Sequence, residues 1–179
     1  MRVVAGTAGG LRLVAPAGES TRPTSNRVRE ATFNALNSLG VIEGARVLDL
    51  FAGSGAMGIE ALSRGAAHAT FVDNDKRARD AIQHNLETTK LQDDAAIVAG
   101  EAFLYVRDKP MFDIAVLDPP YAFDRWPELF AALPARIAVA ESDGPVEPGE
   151  GWAVVRTRRY GTTVVTICRR IADIEETST

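Results

Sequence analysis

The sequence predicts an α/β protein: a doubly wound, mostly parallel sheet with an antiparallel C-terminal edge, preceded by a β-hairpin and a helix. Three observations predict it. From residue 45 onward, short apolar runs with strand character alternate with helical stretches, the signature of parallel strands joined by right-handed crossovers. A glycine-rich turn follows the first of these runs. The last two strand-like segments, 152–156 and 162–168, have only residues 157–161 between them, including Arg158-Arg159-Tyr160-Gly161, too short for a crossover, so they read as a hairpin.

The elements follow in order. Residues 2–5 and 11–15 are β-prone and joined by Gly6-Thr7-Ala8-Gly9-Gly10, a hairpin signal. Residues 16–24, with Pro16, Gly18 and Pro23, read as loop. Thr24, Ser25 and Asn26 offer caps for a helix to about residue 39, with Val28, Ala35, Leu36 and Leu39 on one face and Gly40 as its stop. Strands are then expected at 46–50, 69–72, 95–99, 112–117 and 137–140. Helices are expected at 57–64, 76–90, 102–106 and 126–133. The segment 141–151 is rich in Pro, Gly and acids and reads as an exposed loop. Residues 171–179 read as a frayed tail.

Composition narrows the class. A chain of 179 residues suffices for one domain with a sizeable core. Its 46% apolar and 25% charged residues are ordinary for a globular protein, which argues against disorder. No apolar run approaches the ~20 residues of a membrane span, and no signal-peptide layout opens the sequence, so a cytoplasmic protein without membrane partners is expected. The single cysteine, Cys168, excludes an intramolecular disulfide. With only His68 and His84 beside it, a metal-free protein is expected. A monomer is the default.

The net charge of −4 argues against a generally basic nucleic-acid binder, but the charge is unevenly spread. Residues 1–30 carry Arg2, Arg12, Arg22, Arg27 and Arg29 against Glu19 and Glu30. Residues 156–170 carry Arg156, Arg158, Arg159, Arg169 and Arg170 and no acid. That asymmetry is compatible with local phosphate-binding surfaces. For charge clusters alone, solvated strand and helix edges are the favoured reading.

Three strand ends carry candidate cofactor ligands. Residues 53–58 match G-x-G-x-x-G within Asp49-Leu50-Phe51-Ala52-Gly53-Ser54-Gly55-Ala56-Met57-Gly58. The pattern alone suggests a dinucleotide site. Asp49 argues otherwise, because a carboxylate there repels pyrophosphate and attracts an ammonium or a sulfonium. S-adenosylmethionine carries both cations, and its carboxylate can use N–H groups at the helix start. The plainer reading is a tight turn with glycines for packing. Asp73, at the next strand end, can accept from both hydroxyls of a ribose. It could instead cap a helix, a role Asn74 or Asp75 can fill. Glu101 can accept from an adenine amino group while Ala102 offers its N–H, or Glu101 can merely cap the short helix after it.

The fourth strand end is Asp118-Pro119-Pro120-Tyr121. Two prolines stop sheet pairing and leave a stiff corner at the end where open α/β sheets bind ligands. The Asp118 carboxylate and the Pro119 carbonyl can accept from an NH2 group while Tyr121 stacks on a flat ring.

With these motifs the chain resembles class I S-adenosylmethionine-dependent methyltransferases that act on exocyclic amino groups of nucleobases. The segment 49–55 is similar to their cofactor loop, and 118–121 to their Asn/Asp-Pro-Pro-aromatic motif. Arg2-Val3-Val4-Ala5-Gly6, Gly10-Leu11-Arg12-Leu13, Thr21-Arg22-Pro23-Thr24, Arg27-Val28-Arg29-Glu30 and Phe33-Asn34 further resemble bacterial methyltransferases of small-subunit (16S) ribosomal RNA that modify guanine N2. The resemblance runs from residue 2 to about 170. It implies a Rossmann-like, seven-stranded methyltransferase domain at 41–179, with residues 1–40 as an RNA-reading extension. It also implies S-adenosylmethionine as cofactor and 16S ribosomal RNA, within a partly or fully assembled small subunit, as partner.

The expected site is therefore Asp118, Pro119, Pro120 and Tyr121 for catalysis. Asp49, Phe51, Ala52, Gly53, Ser54, Gly55, Asp73, Asn74, Glu101 and Ala102 are expected at the cofactor. Arg2, Arg12, Arg22, Arg27 and Arg29 are expected on RNA. Arg27 and Arg29 lie two apart on a helix and cannot both face the same way, so one is expected to be structural, paired with Glu30 or an acid of the main domain. The chain departs from the family pattern at Asp118, where relatives acting on adenine carry Asn, and at Glu101, where Asp is commoner. Trp126 and the loop 141–151 receive no role. Rival readings are an adenine-N6 or cytosine-N4 methyltransferase, an NAD-dependent oxidoreductase, and a catalytically inactive RNA-binding module.

Overall fold

Burial dictates the architecture. In the computed structural model, which describes residues 1–17, 26–107, 109–120 and 123–176, the apolar runs become the centre of one seven-stranded sheet. In chain order the elements are α1 (Asn26–Ser38), β1 (Arg46–Leu50), α2 (Ala56–Ser63), β2 (His68–Asp73), α3 (Lys76–Thr89), β3 (Ala95–Ala99), α4 (Ala102–Tyr105), β4 (Phe112–Leu117), α5 (Trp126–Ala132), β5 (Ala135–Ser142), β6 (Trp152–Tyr160), β7 (Thr163–Arg170) and α6 (Ile171–Glu176). The strand order is β3-β2-β1-β4-β5-β7-β6. Strands β1 to β5 pair in parallel, and β7 is antiparallel to both of its neighbours. Strand β6 therefore points the same way as β1 to β5.

The sheet is covered on both faces, which is why its central strands are apolar throughout rather than alternating. One face packs Phe33 and Leu36 of α1, Met57 and Ile59 of α2, and Ile82 and Leu86 of α3. The other packs Ala102 of α4 and Leu129 and Phe130 of α5. Every residue of α2 is buried, because the N-terminal segment lies over its outer side. There Gly6 runs so close that a Cβ would stand 1.7 Å from the Ser63 carbonyl oxygen. Val3, Ala8 and Leu13 belong to the same apolar cluster as the sheet.

Three local expectations need correction. The expected strands at 2–5 and 11–15 reduce to a single bridge, Arg2 to Arg12, held by Val3 donating to Leu11 and Gly10 donating to Val3. The C-terminal hairpin is longer than its apolar pattern. Arg158, Arg159 and Tyr160 lie within β6, pairing with Val165, Val164 and Thr163, and only Gly161 and Thr162 turn the chain. Residues 171–176 form a helix rather than a frayed tail, tied back by a 2.8 Å ion pair from Arg136 to Asp173.

Candidate active site

The strand order reverses between β1 and β4, and the ends of these two strands flank the crevice where such sheets bind ligands. The parallel registers pair Leu50 with Val72 on one side and with Leu117 on the other. Continued by one residue, they bring Asp73, Phe51 and Asp118 to one level along the rim, with Asp49 two residues deeper.

Asp49 is 2% exposed and accepts a 2.9 Å hydrogen bond from the Gly58 N–H. Burial, then the nearby negative charges of Asp118 and Asp73, push its carboxyl up to about 8 against the single lowering effect of that N–H. A cation beside Asp49 would reverse this. Gly58 is required where it stands: a Cβ there would lie 2.3 Å from the Phe71 ring and 3.1 Å from the Asp49 carboxylate.

The turn from β1 to α2 is held from β2. Asp73 accepts from the Gly53 N–H at 2.8 Å through one oxygen and from the Asp75 N–H at 2.9 Å through the other. Asp75, not Asp73, caps α3, accepting from the Arg77 N–H at 2.8 Å. Gly53 and Gly55 adopt positive φ, as the turn requires, and Phe51 does so too (φ 60), a conformation that costs an L-residue energy. Asn74 is exposed beside Asp73, and Ala52 is buried, donating to the Val72 carbonyl at 3.2 Å. At β3, Glu101 is exposed and makes no side-chain cap to α4, while Ala102 is buried. A Cβ on Gly100 would meet nothing within 4 Å, so the rim is open at that point.

These residues fit S-adenosylmethionine. A desolvated acid flanked by two more calls for a cation, and acceptors for a ribose and an adenine amine follow at the next two strand ends. Gly53 and Gly58 already give their N–H groups to Asp73 and Asp49, and Ala52 and Gly55 give theirs to the Val72 and Ala52 carbonyls, so none of these four amides is open to the cofactor carboxylate.

The fourth corner is half-buried Asp118, buried Pro119 and exposed Pro120. Tyr121 and Arg22 lie outside the described residues. Behind the corner runs an aromatic cluster that spacing did not reveal. Phe123 meets Phe51 edge-on at 5.8 Å, Phe103 at 6.1 Å and Trp126 at 5.0 Å, and the Arg125 guanidinium sits 4.0 Å over Phe103. Trp126 thus has a place, bracing the wall beside the corner. The aromatics crowded just after Asp118-Pro119-Pro120 were the available signal.

A second residue missed in the sequence is Asn85, fully buried on α3. Its amide accepts from the Val14 N–H at 2.8 Å and donates to the Val14 and Ser54 carbonyls, each at 2.9 Å. It joins the N-terminal segment to the turn between β1 and α2.

The arginines divide. Arg2, Arg12 and Arg27 are exposed, although Arg2 donates to the Gly10 carbonyl at 2.7 Å. Arg2 and Arg12 line an open depression of about 450 Å³ with Met1, Leu13, Val14 and Asn26. Arg29 is a correction: it is fully buried, paired with Glu60 at 3.4 Å, and donates to the Asn26 side chain and the Arg2 carbonyl, so it does not reach RNA. Glu60 is the main-domain acid, and it also accepts from the N–H groups of Val4 and Ala5 and from Arg64.

Comparison with known proteins agrees with this architecture. The model of the family described as "Conserved hypothetical protein 95" matches residues 1–169. The chain belongs to this family. Ribosomal RNA small subunit methyltransferase D of Haemophilus influenzae is 34% identical over 174 residues, covering 90% of this chain and 89% of the relative. The solved structure of yhhF from Escherichia coli superposes with a TM-score of 0.83 at 32% identity, covering 95% of this chain and 97% of that one. A more distant chain, SMU.776 complexed with SAH, shares the fold (TM-score 0.66, 19% identity, 80% of this chain and 48% of that one).

Proposed function

We propose that this protein methylates the exocyclic N2 of a guanine in 16S ribosomal RNA of the small subunit, using S-adenosylmethionine. The observation that carries the reading is the juxtaposition across β1 and β4: a carboxylate-lined cofactor cleft on one side and the Asp118-Pro119 acceptor pair on the other. Support for an RNA substrate comes from full-length similarity to a small-subunit methyltransferase. The guanine assignment rests on the N-terminal motifs.

In this reading S-adenosylmethionine supplies a methyl group on a positively charged sulfur. Asp49 takes the ammonium, Asp73 the ribose hydroxyls, and Glu101 with Ala102 the adenine. The guanine amino nitrogen is a poor nucleophile, because its lone pair is delocalised into the ring. Asp118 and the Pro119 carbonyl accept its two N–H bonds, which localises the pair, aims it at the methyl and stabilises the charge that grows on nitrogen. Tyr121 stacks on the base. The released proton goes to Asp118 or to water. A paired target base must first swing out, at a cost of about a few kcal/mol that RNA contacts offset. Residues 1–40, with Arg2, Arg12, Arg22 and Arg27, supply part of those contacts. The protein acts as a monomer in the cytoplasm, on a partly or fully assembled subunit.

The test is methyl transfer from labelled S-adenosylmethionine to small subunits lacking the modification, with free small-subunit RNA alongside, followed by nucleoside analysis. Label in N2-methylguanosine supports the full assignment. Label in another nucleoside overturns the guanine assignment, and no label from either substrate overturns the activity.

A further inference from the structure

The basic segment at 156–170 resolves into two kinds of arginine. Arg170 is structural, donating to the Ala135 and Leu133 carbonyls with its guanidinium 4.8 Å over Trp152. Arg169 is half-buried within β7. Arg159 points its guanidinium to the Asp143 carbonyl at 3.3 Å. Arg156 and Arg158 differ. Both are exposed, and neither is held by an ion pair among the described residues.

Arg156, Arg158 and Tyr160 fall on one face of β6 by the two-residue period of a strand. That face meets α1, and all three line a cleft with Thr32 and Ala35 of α1. Thr32 is 2% exposed, and its hydroxyl has no hydrogen-bond partner among the described residues. The deepest part of the cleft holds only about 10 Å³, room for about one water, so a larger ligand sits at its mouth. An acid on this face, Glu141, lies beyond β7 in the row of Val165 and Arg158 and acts on buried Arg29.

Position gives the cleft its meaning. Because β6 runs parallel to β1 and β4, its C-terminal end at Tyr160 lies on the same rim of the sheet as Asp118. A polymer engaged at Asp118 and extending along the rim past β5 and β7 reaches Tyr160 first, then Arg158 and Arg156. Arginines two apart on a strand stand about 6.8 Å apart, a spacing suited to successive phosphates of one strand. An arginine pair with an adjacent aromatic ring is a recurring way to hold single-stranded nucleic acid without reading its sequence.

We propose that Arg156, Arg158 and Tyr160 form a second RNA-docking surface, on which the phosphates flanking the target base lie along β6 and one neighbouring base stacks on Tyr160. This rests on the RNA-methyltransferase reading above. It assigns the C-terminal hairpin, and not only the N-terminal segment, to the substrate.

The experiment uses the full chain with Arg156→Ala/Arg158→Ala and, separately, Tyr160→Leu. Binding to small-subunit RNA is measured against salt, alongside affinity for S-adenosylhomocysteine and methyl transfer. The double variant is expected to bind RNA about tenfold more weakly at moderate salt, with a log–log salt slope shallower by about 1.4 to 1.8 for two phosphates. Tyr160→Leu is expected to weaken binding several-fold with the salt slope intact. Cofactor affinity is unchanged in both. An RNA affinity and salt slope equal to wild type in the double variant overturn the docking surface while wild-type methylation continues. Failure of the wild type itself to bind or methylate RNA overturns the underlying reading instead. Both exchanges are at exposed or half-buried positions, and equal cooperative unfolding of each variant confirms that the effect is local.

Discussion

The guanidinium of Arg29 and the carboxylate of Glu60 meet at 3.4 Å with neither side chain exposed to solvent. The pair joins α1 to α2, and Glu60 also gathers the Val4 and Ala5 N–H groups of the N-terminal segment. Burial lowers the affinity of Arg29 for its proton, and Glu60 works against that effect. Removing one partner leaves the other charge buried and unpaired. Glu60→Gln is expected to cost about 3–5 kcal/mol in denaturant unfolding and to lower the melting temperature by roughly 10 °C. A loss under about 1 kcal/mol would show that the pair is not holding the N-terminal segment in place.

Asp49 gives a pH dependence with a definite sign. Folded and cofactor-free, it keeps its proton to about pH 8, whereas an unfolded aspartate loses it near about 3.9. Between those values the folded state holds the extra proton, so this group makes the free protein less stable as pH rises through the window. Cofactor binding runs the other way, because the ammonium favours ionised Asp49. Affinity for S-adenosylhomocysteine should rise by up to about tenfold per unit as pH climbs toward about 8 and then level off. Calorimetry in buffers of different ionisation enthalpy should register proton release. Asp49→Asn should bind weakly and without this slope; a retained slope would place the titration on another group.

In the proposed mechanism Asp118 acts in transfer rather than in cofactor binding. Asp118→Ala is expected to reduce kcat at least about a thousandfold, beyond the loss of one oriented acceptor, since charge stabilisation and orientation go together. S-adenosylhomocysteine affinity should change less than about threefold. Equal losses of turnover and cofactor affinity would remove Asp118 from the reacting centre.

Gly58 tests the cofactor turn through packing alone. In Gly58→Ala the new methyl would stand 2.3 Å from the Phe71 ring, which is wedged in the core and cannot swing away cheaply. Overpacking costs about 1–3 kcal/mol, and the shift falls on the Asp49 contact. Weaker cofactor binding together with a lower unfolding midpoint is expected. Unchanged affinity would mean that the turn moves independently of α2.

Much of this was readable in the sequence where local pattern and tertiary context agree. Strands β1, β3 and β4 have the predicted limits, because each is a bounded, mainly apolar run; β1 and β4 lie in the covered centre of the sheet and β3 at its half-buried edge. The acids at the strand ends were visible because glycines and prolines punctuate those ends. Strand β6 was read short because it is an exposed edge, and Arg156, Arg158 and Arg159 carry no alternation of apolar and polar residues. Arg29 was offered to RNA because only the fold brings Glu60 beneath α1. The wall of Phe51, Phe103, Phe123 and Trp126 was largely hidden for the same reason: three separate segments supply it, and only the crowding of Phe123 and Trp126 after the diproline shows along the chain.

The cleft between α1 and β6 unites residues near 32 with residues near 158, with almost the whole sheet encoded between them. Its formation waits on long-range pairing, the slowest kind of contact to close. During synthesis the cofactor turn and its neighbouring strands emerge well before β6 does. The surface proposed here to hold RNA is therefore among the last parts of the protein to take shape, so a nascent chain would complete its cofactor cleft before it could grip a polymer.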